Sequence, residues 1–308
     1  MENHHENFKG VMAIIIASFL WGTTGTAASY SPDVSSLAIG AFSMGVGGVL
    51  LVITARKNLL IDYKLMFKQP KILLLGAASV AIYPLAFYTS MRLSGVAIGT
   101  VISIATAPFF AAILERLLSQ KNISLQWLLS FVIGAIGIAL LTLGREQSNN
   151  IAYSIHQQNL GILLGCIAGL TYAAYSWAAR RLIESGVHAK SSMSGLFGCA
   201  ALVLLPSLWF TGEHLFSSST NTLVSLYMAV IPMFLGYLLF GFGLNFIEAS
   251  KATLITLIEP LVATVLAVFI IGERFKVIGW LGVALVSLCL LIQTIKPQSQ
   301  LSVAIKSN

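Results

Sequence analysis

Long apolar runs separated by short polar stretches dominate the pattern of the chain. Each run holds about 20 residues, the length of helix that crosses a hydrocarbon core roughly 30 Å thick. The runs are continuous rather than alternating, which favours helices over the strands of a membrane barrel. The pattern therefore predicts an all-α integral membrane protein with ten transmembrane helices. The runs cover residues 10–29, 35–54, 71–91, 95–118, 123–143, 159–179, 191–211, 222–245, 250–271 and 277–294.

Composition and charge support a lipid environment. Of the 308 residues, 57% are hydrophobic and 9% are charged, whereas a soluble domain carries roughly a quarter charged residues. Fourteen of the 18 Lys and Arg residues fall in connections on one side of the predicted membrane. Since cytoplasmic loops are enriched in basic residues, both termini are expected in the cytoplasm. The basic residues lie between the apolar runs rather than together on one face, so the net charge of +7 does not indicate a nucleic-acid partner.

A weak internal repeat relates the two halves of the chain. At an offset of 152 residues, the segment 95–108 aligns with 247–260, and Pro108 coincides with Pro260. Each half holds five spans, and five is odd, so the second half is predicted to be inverted relative to the first. Inverted repeats around a central cavity are typical of secondary transporters. The predicted units are residues 1–145 and 159–296, a connecting loop over 146–158 and a cytoplasmic tail over 297–308.

Four residues within the spans are candidates for gating or coupling. Pro108 and Pro260 lie mid-helix, where each ring removes a backbone hydrogen bond, and both are expected to line the cavity or else to bend helices around their neighbours. Glu259 lies roughly 14 Å into its helix, where a charge is costly. It could carry protons, pair with a cationic substrate or be tied to a neighbouring polar group. Glu115 is expected to reach the headgroups at the cytoplasmic end of its span.

Aromatic residues at helical spacing form a candidate binding surface. Aromatic faces suit amines and ring-bearing solutes, although packing or interfacial anchoring is the alternative for each residue. The candidates are Trp21 and Thr24, then Tyr83, Phe87 and Tyr88, and finally Tyr172, Tyr175 and Ser176.

Small residues at four-residue spacing predict a seam where two helices approach closely. Gly161, Gly165, Gly169 and Ala173 form this ladder. The alternative is a gliding contact that is used during transport.

No metal, cofactor or catalytic centre is expected. The three cysteines lie in spans without paired spacing and are interpreted as packing residues. All five histidines and both aspartates, Asp33 and Asp62, fall in predicted loops or tails. The sequence has no His-Glu-x-x-His motif, and a membrane serine nucleophile would lack a histidine base. These observations argue against an intramembrane enzyme.

Several short motifs resemble the EamA family of the drug/metabolite transporter superfamily over nearly the whole chain. They are Phe19-Leu-Trp-Gly-Thr-Thr, Ala107-Pro-Phe-Phe, Ser176-Trp-Ala-Ala, Leu257-Ile-Glu-Pro-Leu-Val-Ala and Gly272-Glu-Arg. The resemblance implies a bacterial inner-membrane transporter with inverted five-helix repeats, often exporting amino acids, amines or toxic compounds. It also implies that Trp21, Pro108, the segment 172–177 with Trp177, and Glu259-Pro260 flank the pathway. The first repeat departs from the family pattern, because Lys121 stands where the second repeat has Glu273.

The sequence predicts a secondary transporter that exports small amino-acid-like, amine-like or drug-like metabolites by alternating access. Its expected partners are a small-molecule substrate and the lipid bilayer, with proton coupling as one option, and either a monomer or a dimer is compatible with the sequence. The alternatives are an importer, a channel and a flippase for lipid-linked intermediates. A channel is disfavoured because no selectivity-filter motif or charged ring is evident.

Overall fold

The computed structural model describes residues 2–94, 96–144, 154–272 and 276–294. In these ranges the chain forms thirteen α-helices and two π-helical segments. The first helices are α1 Glu2–Gly22, α2 Thr24–Ala28, α3 Ser36–Phe67, α4 Pro70–Ser94, α5 Val96–Leu118, α6 Leu125–Leu143 and α7 Ile155–Glu184. They are followed by α8 Ala189–Thr211, α9 Ser219–Met228, the π-helical segment Ala229–Leu235, α10 Gly236–Gly243, α11 Ala249–Ile255, α12 Ile258–Leu266, the π-helical segment Ala267–Ile271 and α13 Val277–Thr294.

The helices agree with a multi-pass membrane protein. Within the described ranges, nine helical segments are long and apolar enough to cross a membrane, and a further apolar helix, Val277–Ile292, is shorter. Most of the connecting loop, the predicted tail and Glu273-Arg274 lie outside the described residues.

Helix α3 is longer than the sequence predicts. The prediction that this helix ends near residue 54 and that Asp62 lies in a loop is wrong. The helix continues to Phe67, because residues 55–67 contain no Gly or Pro and consist mostly of good helix formers. The Asp62 carboxylate is buried and accepts a 2.9 Å hydrogen bond from the backbone N–H of His188. A charged segment thus extends the helix beyond its apolar part, and its carboxylate caps the start of α8.

Helices of one half of the chain pack against helices of the other half. The most extensive contacts join α4 with α7, α3 with α8, α6 with α13 and α5 with α7, and α1 lies along α10. The predicted seam on α7 lies at one of these contacts: the Ser90 hydroxyl donates a 2.7 Å hydrogen bond to the carbonyl of Gly161. A side chain at Gly161 would meet the backbone of Ser94 on α4.

Contacts between the connections define two ends of the molecule. At the end that we call the latch end, the connection after α5 meets the end of α7 and the connection between α10 and α11, through Lys121, Glu184 and Glu248. At the opposite end, the mouth end, Asn221 donates a 3.0 Å hydrogen bond to Asp33.

Candidate functional site

A cavity lies between the two halves of the chain, nearer to the mouth end. Its empty volume is about 520 Å³, including its open side. Gly40 lies in the second turn of α3 and Tyr88 lies in the second half of α4, which places both residues toward the mouth end. The lining consists of Trp21, Thr24, Gly40, Ser43, Met44, Tyr83, Pro84, Phe87, Tyr88, Tyr172, Tyr175, Met233, Tyr237 and Glu259.

Aromatic rings form most of the wall of this cavity. Tyr83 and Phe87 share one face of α4 because they are four residues apart, and their rings stack with centroids 5.6 Å apart. The Tyr83 ring also lies 5.6 Å from that of Tyr172. Trp21 lies 4.8 Å from Tyr237 and donates a 2.8 Å hydrogen bond to the carbonyl of Pro232. Helices of both halves thus hold one continuous aromatic surface.

Hydrogen bonds fix the orientation of several of these rings. The Tyr172 hydroxyl donates to Thr256 Oγ1 at 3.0 Å, and the hydroxyls of Tyr175 and Tyr237 are 3.1 Å apart. The Thr24 hydroxyl is bound to the carbonyl of Trp21 at 2.7 Å. The ring faces, rather than these hydroxyl groups, are therefore the main recognition elements that the wall offers.

Glu259 is the only charged side chain among the described residues that line the cavity. It lies just after a break between α11 and α12. Its backbone N–H donates a 2.9 Å hydrogen bond to the carbonyl of Thr256, the group that the Pro260 ring leaves without its usual helical donor. Glu259 is half-buried and lines the cavity. The structure gives it neither an ion pair nor a hydrogen bond to any residue in the described ranges.

Several residues singled out in the sequence lie outside the lining. Pro108 is buried within α5, which stays helical across it, and the Pro260 ring is also absent from the lining. Ser176 is fully buried, and its hydroxyl has no partner among the described residues. The Trp177 indole points toward the latch end, where it donates a 2.9 Å hydrogen bond to the Ser119 hydroxyl.

Glu115 differs from the expectation that it reaches the headgroups. Its side chain is only 4% exposed, and Oε1 accepts a 2.7 Å hydrogen bond from the backbone N–H of Ala249. The first N–H groups of a helix lack partners within the helix, and α11 begins inside the protein. The carboxylate therefore satisfies a helix terminus that would otherwise be buried without an acceptor.

The lining also contains residues that sequence reasoning missed. Ser43, Met44 and Met233 carry no pattern that distinguishes them from packing residues. Tyr237 could have been found from the repeat, because it lies 154 residues after Tyr83, close to the offset that relates the two halves.

Ion pairs close the latch end between the two halves. Lys121 Nζ lies 2.7 Å from Glu184 Oε1 and 3.4 Å from Glu248 Oε1. Arg180 Nε lies 3.0 Å from the same oxygen of Glu184, and its guanidinium also donates to the carbonyl of Leu244. We call Lys121, Arg180, Glu184 and Glu248 the latch. Lys121 belongs to the first half of the chain and its partners to the second, so the departure from the family motif at this position supplies a contact across the interface.

Buried apolar side chains separate the latch from the cavity. Phe240, Leu244 and Ile247 are all buried in the same hydrophobic core, and they follow Tyr237 along the chain toward the latch end. The cavity is therefore closed toward the latch by packed side chains as well as by ion pairs.

The two halves of the chain also match one family of known proteins. The model of the EamA-like transporter family fits residues 8–143 and, a second time, residues 159–294. The chain belongs to this family. The resemblance of its motifs to the EamA family is thereby confirmed, and the protein is a transporter and not an enzyme.

Relatives of this EamA transporter cover nearly its whole length. The uncharacterized transporter YwfM of Bacillus subtilis (strain 168) is 32% identical over 293 residues, which is 93% of this chain and 94% of that protein. The uncharacterized inner membrane transporter YicL of Salmonella typhimurium is 24% identical and covers 90% of this chain and 92% of its own. A solved crystal structure with 14% identity matches 92% of this chain and 95% of its own with a TM-score of 0.76, which shows a shared fold.

Proposed function

We propose that this EamA transporter is a secondary carrier of the bacterial inner membrane that exports small amine-like, amino-acid-like or drug-like solutes by alternating access. The observation that carries the proposal is the aromatic cavity between the halves, partly open near the mouth end and closed toward the latch. A carrier needs such a central site whose two entrances open in turn. The ion pairs of the latch would separate when the cavity opens toward the latch end.

We also propose that the chain consists of two inverted repeats of five helices, with units at residues 1–145 and 159–296. The pairing of helices supports this arrangement, because a two-fold relation between the halves converts the contact of α4 with α7 into that of α1 with the helix containing α10. It also relates α3 to α8 and α6 to α13, which are the pairs that pack side by side. The shorter α13 would be the tenth span.

In the proposed orientation the latch end faces the cytoplasm, as do both termini. The Lys and Arg distribution supports this orientation. The basic residues in the α3–α4 and α5–α6 connections and in the helix ends beside the α3–α4, α5–α6 and α7–α8 connections gather at the latch end, and cytoplasmic connections are enriched in Lys and Arg. The cavity would then open toward the outside. This is the state from which an exporter releases its solute, and an importer would use the same state to bind it.

Growth protection tests the proposed export. Cells expressing the wild type are expected to tolerate toxic amino-acid analogues, quaternary amines or aromatic cations that inhibit cells without the transporter. Trp21→Ala is expected to abolish the protection, because Trp21 forms one wall of the cavity. Trp209→Ala is the matched control, since Trp209 is 91% exposed and lies outside the lining.

One result would contradict the cavity as the export route, and another would contradict export itself. Equal protection by Trp21→Ala and by the wild type would exclude the cavity as the route. Hypersensitivity of cells that express the wild type would indicate import.

A further inference from the structure

We infer that the cavity selects monovalent organic cations, with Glu259 as the counter-charge and the faces of tyrosine and tryptophan rings as the walls. The inference rests on the proposed function and names the substrate class. It extends that proposal, which leaves amines, zwitterionic amino acids and neutral drugs equally admissible.

Glu259 differs from the other buried or partly buried carboxylates of the described chain. A buried carboxylate normally has a donor or a cation beside it, because an unpaired charge in a low dielectric is costly. Each of the others has such a partner: Asp62 has His188, Glu115 has the N–H of Ala249, and Glu184 has Lys121. Glu259 instead faces the cavity. The missing partner would be supplied by the solute.

The described lining offers no positive charge to accompany this carboxylate. No Lys, Arg or His belongs to the described lining. An anionic solute would meet the Glu259 carboxylate and the negative faces of aromatic rings, with no side chain to compensate its charge. A zwitterion would satisfy Glu259 through its ammonium group but would leave its own carboxylate without a cationic partner.

The aromatic rings of the wall are arranged in a way that suits a cation. A cation within about 6 Å of an aromatic centroid is attracted by the electrons of the ring face. The ring centroids of Tyr83 and Tyr172 lie 5.6 Å apart and those of Trp21 and Tyr237 lie 4.8 Å apart. All four residues line the cavity, so a solute in it lies beside rings from both halves. The hydroxyls of Tyr172 and Tyr237 already have partners within the protein. The rings are therefore held in place before a solute arrives.

A series of ligands that share a phenyl ring but differ in charge tests the inference. Binding of 2-phenylethylamine, phenylalanine, 3-phenylpropanoate and 2-phenylethanol to the purified full-length protein is measured by titration calorimetry at neutral pH. The amine is expected to bind at least about tenfold more tightly than phenylalanine or 3-phenylpropanoate, because only its charge is balanced in the site.

Variants assign the selectivity to Glu259. Glu259→Gln is expected to weaken binding of the amine at least about tenfold and to leave the affinity for the neutral 2-phenylethanol within about twofold, a readout that reports whether the cavity is still intact. Glu213→Gln removes an exposed carboxylate outside the lining and is expected to change neither affinity. If Glu259→Gln does not fold, Glu259→Asp keeps the charge and is expected to keep the preference for the amine.

The outcomes separate the cation site from the carrier function. Tighter binding of phenylalanine or 3-phenylpropanoate than of the amine would overturn the inference, as would undiminished binding of the amine to Glu259→Gln. Failure of the amine to bind the wild type at millimolar concentration would do the same. Selective binding of the amine supports the inference even if proteoliposomes show no transport, a result that would overturn the proposed function alone.

Discussion

Gly169→Ala is expected to destabilise the folded transporter by about 1–3 kcal/mol, the usual cost of inserting a methyl group into a packed interior. A Cβ at this position would lie 2.9 Å from the carbonyl oxygen of Ser103 and far inside van der Waals contact with Thr106 Oγ1, both on α5. Helix α7, which carries Gly169, cannot move away from α5 without losing its contact with α4. Thermal unfolding in detergent, followed by gel filtration, measures the loss, and Gly169→Leu is expected to yield no folded protein.

Two variants distinguish the seam from a general intolerance of substitutions. Gly25→Ala is the matched control, because a Cβ at Gly25 meets no atom within 4 Å, and its melting temperature is expected to equal that of the wild type. Thr106→Ala combined with Gly169→Ala removes the hydroxyl that clashes and is expected to recover part of the stability. Equal melting of Gly169→Ala and the wild type would show that α5 and α7 are not packed as the structure has them.

Lys121→Glu is expected to open the latch end. The substitution removes two ion pairs and brings three carboxylates together. Each pair is partly exposed, so it contributes only about 0.2–1 kcal/mol. With the added repulsion, the closed state should lose about 1–2 kcal/mol, which is a factor of roughly 5–30 in the equilibrium. Hydrogen–deuterium exchange of backbone amides in residues 119–124 and 244–249 should accelerate by a similar factor.

The control for the latch is another charge reversal at the same end. Lys190→Glu changes an exposed residue outside the latch and is expected to leave exchange in these segments unchanged. Adding Glu248→Lys to Lys121→Glu restores an opposite-charge pair and should restore part of the protection. Exchange in Lys121→Glu that matches the wild type would mean that packing alone keeps this end closed.

An all-helical chain with several long apolar helices could be predicted from the sequence, because lipid imposes a minimum length on every spanning run. The end of α3 could not, since the segment from Arg56 to Lys64 is polar and resembles a loop, yet it consists of residues that continue a helix. The contact of Asp62 with His188 adds a tertiary reason that no local pattern contains.

The two mid-helix prolines show a similar limit. They occupy equivalent positions in the repeat, and the sequence predicts that both line the cavity or bend their helices. Pro260 follows a break at residues 256–257, whereas α5 continues through Pro108. Proline removes a hydrogen bond in either case, but the packing of the neighbouring helices decides how far the helix opens.

Part of the candidate site could be predicted from the sequence. Trp21 and Tyr172 correspond through the repeat, and Tyr83 and Phe87 share a helix face, so all four could be expected together. Ser176 lies four residues after Tyr172 and shares its helix face, yet it is fully buried and outside the lining, so helical spacing alone does not identify the lining residues. Met233 belongs to the lining without any local signal in the sequence, whereas Tyr237 is indicated only by its position in the repeat.

Solute counterflow tests the central claim, that this transporter is a carrier using the cavity, most directly. Proteoliposomes loaded with unlabelled 2-phenylethylamine or phenylalanine are diluted into the labelled solute. For at least one solute, uptake is expected to be saturable and accelerated by internal solute, to be lost in Trp21→Ala and to persist in Trp209→Ala. Flux that rises linearly with concentration and ignores internal solute, or no flux of either solute above that of protein-free vesicles, would contradict the account.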